Sequence, residues 1–317
     1  MVVFVYSTRD YNWLNLARNL KTQSVFWETV RRCDSEIRAH LGWSIENDLL
    51  RDDQFQISEE HCEPGLTAMQ IGLTELWRSR GIHPDAVMGA CAGEFAAAYV
   101  GGAISLENAM ELACKAGICL RKKVAPGRML LVDVSDPSLI EPSPLYYVSA
   151  CIGGTTLIGC READFDATRE LLKKSGLGFR QILSKIALHS PDADSWKPEF
   201  CRSLKSRQAS EQKLPIYSVY TGATATPSAS DMDHWWKVLR NPVLNFDAVI
   251  YRLIQDGYKT FLEINSHLIF SKTIQEIADS CDRAITVVPV LSPAQSPDRF
   301  MEETLSSLDF RSREKVK

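Results

Sequence analysis

The chain has 317 residues, 45% of them hydrophobic and 24% charged, and carries a formal net charge of -4. That length buries a substantial core in one large domain or two subdomains, and the composition is that of an ordinary soluble globular protein. The slight acidity excludes nucleic acid as the main partner, because no basic excess drives counterion release, and no apolar run approaches the ~20 residues of a membrane span.

The first predicted element is a strand over Val2–Tyr6, interrupted by Ser7, Thr8, Arg9 and Asp10 too soon for a signal peptide and lacking a basic leader. Apolar spacing predicts a helix over 66–79, a strand over 86–90, a helix over 94–101 and another over 106–121 introduced by Ser105. This alternation of short strands with longer helices implies a parallel sheet with helices on its faces. The pattern then changes, to strands over 129–134, 146–150 and 155–159 and one amphipathic helix over 164–175. Strands grouped around a single helix predict a small α+β unit inserted into the first. After His189-Ser190-Pro191 the large unit resumes, with strands over 215–220 and Thr260–Ile264 and helices over 247–256 and 269–278. Pro289, Pro293 and Pro297 break the chain, and a polar tail follows. The nine cysteines are scattered, odd in number and without Cys-x-x-Cys, so neither a disulfide framework nor a metal site is indicated. The expected setting is a reduced cytoplasm.

Gly89-Ala90-Cys91-Ala92-Gly93 carries the most chemistry. Between a predicted strand and a predicted helix it reads as a sharp turn that exposes a nucleophile, with cysteine where serine is usual. Glycines on both sides let strand and helix close up. The amide of Ala92, at the helix N-terminus, can face a developing oxyanion and favours thiolate over thiol. A buried structural cysteine beside two packing glycines fits the same five residues. A nucleophile needs a base, and of the six histidines His189 is the best placed, at the end of an ordered segment and just before Ser190-Pro191. His40, His61, His83 and His234 sit among polar residues, and His267 follows an apolar strand.

The segment from Gly89 to Ala109 resembles the active-site segment of the malonyl-CoA:acyl carrier protein transacylase family, which includes the acyltransferase domains of polyketide synthases. Leu188-His189-Ser190-Pro191 is similar to its His-Ser-Pro segment. Trp235 to Val243 and Gly257 to His267 resemble its two C-terminal signatures, and Glu63-Pro64-Gly65-Leu66 stands at its Gln-Pro-Ala-Leu stretch. The matches keep family order over nearly the whole chain. The resemblance implies an α/β fold, an α/β-hydrolase-like large subdomain (1–124 and 190–300) with an inserted ferredoxin-like small subdomain (125–189), and a polar tail over 301–317. It implies an acyltransferase working by ping-pong transfer between thioesters, with Cys91 as nucleophile and His189 as base. The oxyanion donors it implies are the backbone amides of Ala92 and of Arg9, the latter in the loop Thr8-Arg9-Asp10-Tyr11-Asn12. The implied orienter of His189 is a backbone carbonyl near the Pro-Val signature, assigned to Leu244.

The departures bear on substrate. The family's serine is Cys91, and the histidine before it is Ala90. A cysteine there is also similar to starter-unit acyltransferases of some fungal polyketide synthases. The family's carboxylate-binding arginine falls on Ala116, beside Lys115, and its glutamine on Glu63. A carboxylated acyl group would lose its fork and meet an anion, unless Glu63 faces solvent or a local arginine, so a non-carboxylated group is expected. Ala90 and Leu188, which precede nucleophile and base, complete the implied acyl-binding set. No cofactor is expected to be held permanently. The phosphopantetheine thioester of CoA or of a carrier protein is the expected substrate, and an acyl or peptidyl carrier protein is the expected partner. Basic groups at Arg121-Lys122-Lys123, Lys173-Lys174 and Arg202, Lys205 and Arg207 are candidates for docking an acidic carrier. Two other functions use the same features: an editing thioester hydrolase, and a carrier-binding module without catalysis.

Overall fold

The computed structural model describes residues 1–9, 13–20, 22–50, 57–182, 184, 186–202, 204, 210–288, 291 and 295–308. Its chain begins in strand β1 (Val2–Tyr6), buried along its whole length. Helices α1 (Trp13–Asn19), α2 (Ser24–Leu41) and α3 (Ile45–Leu50) follow, where the periodicity above predicts no element. α2 buries Phe26, Val30, Cys33 and Ile37, one stripe at helical spacing. Next come α4 (Glu59–Ser79), β2 (Ala86–Gly89), α5 (Gly93–Val100) and α6 (Leu106–Lys123), the last capped by the Ser105 side chain accepting from the Asn108 amide.

α4 starts earlier than its predicted 66, with Pro64 inside it. Proline removes the N–H that would bond the Glu60 carbonyl, and α6 closes against that carbonyl at Gly117, where a Cβ would lie 2.2 Å from the Glu60 oxygen. The pairing of a proline on one helix with a glycine on the other brings α4 and α6 together next to Glu63 and Ala116.

The small sheet holds β3 (Gly127–Val132), β4 (Tyr147–Ile152), β5 (Thr155–Arg161) and, after α7 (Phe165–Lys174), β6 (Phe179–Ile182). Its order is β4-β5-β3-β6 and every pairing is antiparallel. β6 is absent from the sequence prediction. It alternates without a strong apolar signal, and only pairing with β3 makes it a strand. α7 covers one face through Leu172, which packs with Leu130, Val132 and Ile158 in a separate core. This is the ferredoxin-like unit.

The chain returns through α8 (Lys197–Phe200), β7 (Ile216–Ser218), β8 (Ala223–Ala225), α9 (Met232–Arg240), α10 (Phe246–Gln255), β9 (Thr260–Ile264), α11 (Ser271–Ser280) and β10 (Thr286–Val288). The large sheet runs β10-β9-β1-β2-β7-β8, parallel except for β8. The two crossings between the units lie side by side, Pro126 bridged to Ile186. The edge of β4 is stitched to the segment after α9, where Cys151 N–H donates to the Val243 carbonyl at 2.8 Å and Val243 N–H to that of Ser149 at 2.9 Å.

The expected polar tail from 301 needs correction. Pro297 opens a helix, α12 (Pro297–Ser307), which starts before 301 and buries Phe300, Met301 and Thr304. Phe300 packs edge-on to Trp77 with ring centres 6.3 Å apart, and Asp298 holds Arg80 and Gln23. Residues 309–317, with Pro289 and Pro293, lie outside the described residues. Among the described residues no helix is long and apolar enough to cross a membrane.

Candidate active site

The site forms at the carboxyl ends of the parallel strands, the usual location in open α/β sheets. β1 and β2 pair in register at Tyr6 and Gly89, so the chain that follows each strand emerges at the same edge. On one side this delivers Ser7, Thr8 and Arg9, and on the other Ala90, Cys91 and Ala92.

The turn after β2 is held by close approach. A Cβ at Gly93 would lie 2.2 Å from the Tyr6 carbonyl oxygen, and one at Gly89 2.5 Å from Cα of Glu94. No side chain fits at either position. Ala90 N–H donates to the Tyr6 carbonyl at 3.1 Å, and the amides of Gly93 and Glu94 turn back to Ala90 and Cys91, both at 3.0 Å. Cys91 is left with φ at +53°, in the left-handed region, a strain of about 1–3 kcal/mol for a residue with a side chain. Below it, Glu94 is buried and takes the Ser218 hydroxyl at 2.7 and 2.9 Å and the Tyr220 N–H at 3.0 Å. Burial still raises this carboxyl to about 7, against those hydrogen bonds.

Cys91 is buried, and its surroundings favour the thiol. Burial pushes it up to about 12, Glu63 adds to the rise, and the Ala92 amide and Thr8 hydroxyl oppose it. The lowering expected from the helix N-terminus is outweighed. His189 is itself neutral, because burial and then the Arg240 cation bring it down to about 4. Cys91 and His189 are therefore both neutral.

His189 shares the left-handed backbone, with φ at +59°. Its carbonyl accepts Arg240 Nη1 at 3.1 Å, while Arg240 forks onto Asp194 at 2.7 and 3.2 Å. Leu188 is anchored on both faces: its N–H meets the Met129 sulfur at 3.3 Å, and its carbonyl accepts the Ser149 hydroxyl at 3.1 Å. The backbone at Asn241 and Leu239 opposes the fall in the His189 pKa, while His189 Nδ1 is buried and makes no hydrogen bond. Asn241 and Leu239 belong to the C-terminal end of α9, where carbonyls have no partner in the helix. Pro242 contributes no N–H, and the Val243 amide goes to Ser149.

Arg9 and Glu63 meet beside the nucleophile. Arg9 Nη1 lies 3.0 Å from Glu63 Oε1 with both side chains 2% exposed, and Nη2 also binds Glu59. Glu63 thus faces a local arginine instead of standing alone. Burial holds its pKa above the usual carboxylate range, with Arg9 opposing. Ala116 and Ala90 are fully buried. Lys115 turns away from the site, its ammonium 2.7 Å from the Arg202 carbonyl, 3.4 Å from that of Phe200 and 3.8 Å from Glu111. Asp10, Tyr11, Asn12, Lys205 and Arg207 lie outside the described residues, and Arg121 is paired with Glu60. Among the described residues no cluster of His, Cys, Asp or Glu could hold a metal ion.

Several participants were not legible. Thr8 stands in the loop that departs from the family pattern, and Glu59 opens α4 ahead of the recognised stretch at Glu63. Arg240 lies inside a recognised signature but gives no sign that it serves His189. His234, grouped above with polar-context histidines, is largely buried against Trp235, 4.9 Å between ring centres, and 3.9 Å from Glu94.

The family model described as acyl transferase domain matches residues 3–314. The chain is 30% identical over 313 residues to erythronolide synthase EryA2 of Saccharopolyspora erythraea, a match covering 96% of this chain and 9% of that synthase. Mellein synthase of Phaeosphaeria nodorum is 27% identical, over 97% of this chain and 17% of its own. The chain thus spans under a fifth of these curated relatives. Among solved structures, a loading acyltransferase from the avermectin modular polyketide synthase superposes with a TM-score of 0.82 at 26% identity, covering 97% of this chain and 99% of that one. The acyltransferase domain from module 8 of the salinomycin synthase gives 0.85 at 24% identity, over 96% and 74%, a likeness of fold.

Proposed function

The chain belongs to the acyl transferase domain family, and on that premise we propose that it moves a non-carboxylated acyl group from a CoA or carrier-protein thioester to an acyl or peptidyl carrier protein through a thioester on Cys91. The polyketide synthases among its relatives support a setting in polyketide or mixed polyketide–peptide assembly, and likeness to an acyltransferase described as loading supports a loading role.

The observation that carries the choice of acyl group is the charge state of the pocket. Ala116 supplies no cation, Lys115 is engaged elsewhere, and the guanidinium that meets Glu63, that of Arg9, is already shared with Glu59. A malonyl carboxylate would compete with two resident carboxylates for that arginine and pay desolvation as well.

The neutral pair fixes the order of events. His189 takes the thiol proton as the sulfur attacks the thioester carbonyl, so no standing thiolate is needed. The amides of Ala92 and Arg9 receive the oxyanion. The tetrahedral intermediate collapses, the C–S bond to pantetheine breaks, and His189 returns the proton to the leaving sulfur. The carrier's phosphopantetheine thiol then repeats the sequence in reverse. Bonds broken and formed are all thioester bonds, so the transfer runs near thermoneutrality.

Intact-mass measurement after incubation with butyryl- and malonyl-pantetheine tests both halves. We expect a butyryl adduct that disappears in Cys91→Ala, and a preference over malonyl of about a hundredfold or more in kcat/KM. An undiminished adduct on Cys91→Ala, or efficient malonyl loading, overturns the assignment.

A further inference from the structure

The proposed reading leaves the acyl chain unspecified, but the surroundings of Glu63 narrow it. Only one of its two carboxylate oxygens is satisfied: Oε1 takes the Arg9 guanidinium at 3.0 Å, while Oε2 is buried and makes no hydrogen bond. A bare acceptor on a 2% exposed residue is costly unless something completes it. That acceptor is beside the chemistry, since Glu63 is the charged side chain that most raises the Cys91 thiol after burial itself. The guanidinium on its other oxygen is shared, since Arg9 also binds the carboxylate of Glu59. Lys115, the neighbouring cation on α6, is spent on the carbonyls of Phe200 and Arg202 and on Glu111.

Resting on the non-carboxylated reading above, we propose that Glu63 Oε2 is the recognition group for an amine carried by the acyl chain close to its thioester carbonyl, so that the preferred substrate class is aminoacyl. An ammonium on the α- or β-carbon, two or three bonds from the carbonyl carbon, donates to Oε2 and pairs its charge with the carboxylate in the same contact. A hydroxyl supplies the hydrogen bond without the charge, and a plain alkyl chain supplies neither.

The test is a competition among the pantetheine thioesters of 3-aminobutyrate, 3-hydroxybutyrate, butyrate and malonate, with early loading of Cys91 read by intact mass. In the wild type, 3-aminobutyryl should lead butyryl by about tenfold or more, the usual worth of a charge-assisted hydrogen bond, with 3-hydroxybutyryl between them. In Glu63→Gln the amine-to-butyryl ratio should fall to near one. Because that variant removes the Glu63 carboxylate from Arg9, Arg9→Gln/Glu63→Gln provides an uncharged pair in which the same collapse is expected. Equal loading of amine and butyryl by the wild type, or an amine preference that survives in both variants, overturns the inference while leaving the non-carboxylated reading intact. Malonyl winning the competition overturns both.

Discussion

Cys91 and His189, the proposed nucleophile and base, are held in the same unusual backbone conformation by different means. Cys91 is fixed by what lies within a few residues of it and by the strand next door. Two glycines admit no Cβ, the Tyr6 carbonyl closes on Ala90, and Glu94 roots the helix that follows. His189 is fixed from far along the chain, by Arg240 and its Asp194 anchor, and by Ser149 of the small sheet holding Leu188. A turn built from backbone contacts has few ways to yield, whereas a residue held by long side chains can be loosened one support at a time. The nucleophile should therefore fail abruptly and the base by degrees.

The largest effect is expected at the turn. Gly93→Ala forces a Cβ to within 2.2 Å of the Tyr6 carbonyl, which is backbone and has nowhere to move. Overpacking of this kind costs about 1–3 kcal/mol or more, and we expect a lower melting temperature together with loss of acyl loading. A variant that melts and loads like the wild type would show the turn to be as adjustable as the base.

The second effect separates position from charge at His189. Arg240→Met removes a contact to the His189 carbonyl and a nearby cation. Loading should slow by about 10- to 100-fold through a misplaced base. The pH profile should also move in a definite direction. The active form of His189 is neutral, so in the wild type the rate should hold as pH falls and drop only on approach to about 4. Arg240 depresses that value, so its removal raises it, and the acid limb should shift to higher pH. An unmoved limb with a slower plateau would leave Arg240 a purely structural support.

The smallest effect crosses between the two units. Ser149→Ala deletes the hydroxyl that bonds the Leu188 carbonyl at 3.1 Å. One such hydrogen bond is worth about 1 kcal/mol, so loading should fall by about three- to tenfold with little change in melting temperature. A loss equal to that of Arg240→Met would mean that the small sheet, and not α9, sets the position of the base.

Legibility in the sequence follows the same division. The turn at 89–93 is visible because its requirements are local: small residues at fixed offsets between an apolar strand and a helix. Ser105 announces α6, and the spacing over 155–159 and 164–175 announces β5 and α7, for the same reason. β6 and β10 carry too little apolar alternation, and become strands only by pairing with β3 and β9. α12 is obscured by its prolines and polar residues, and its buried stripe shows only once Trp77 is there to receive Phe300. A carbonyl partner for His189 is not legible because a carbonyl leaves no mark in a sequence. Only the tertiary structure brings the end of α9, with Pro242 lacking an N–H and Val243 drawn to β4, up to His189.

By itself the sequence determined the family, the alternating α/β order, the place of Cys91 and His189, and the loss of a cation at Ala116. Each of these is a matter of residue type at a short or ordered spacing. The tertiary structure decided the charge of the pocket and the protonation of the pair. Glu63 alone reads as an unopposed anion, and it becomes half of an ion pair because the chain after β1 carries Arg9 to the same sheet edge. The thiol and imidazole are neutral because both are buried, with Glu63 beside one and Arg240 beside the other. Desolvation and through-space charge depend on what surrounds a group in three dimensions, and these neighbours come from 28 positions away (Glu63 to Cys91) and 51 (His189 to Arg240).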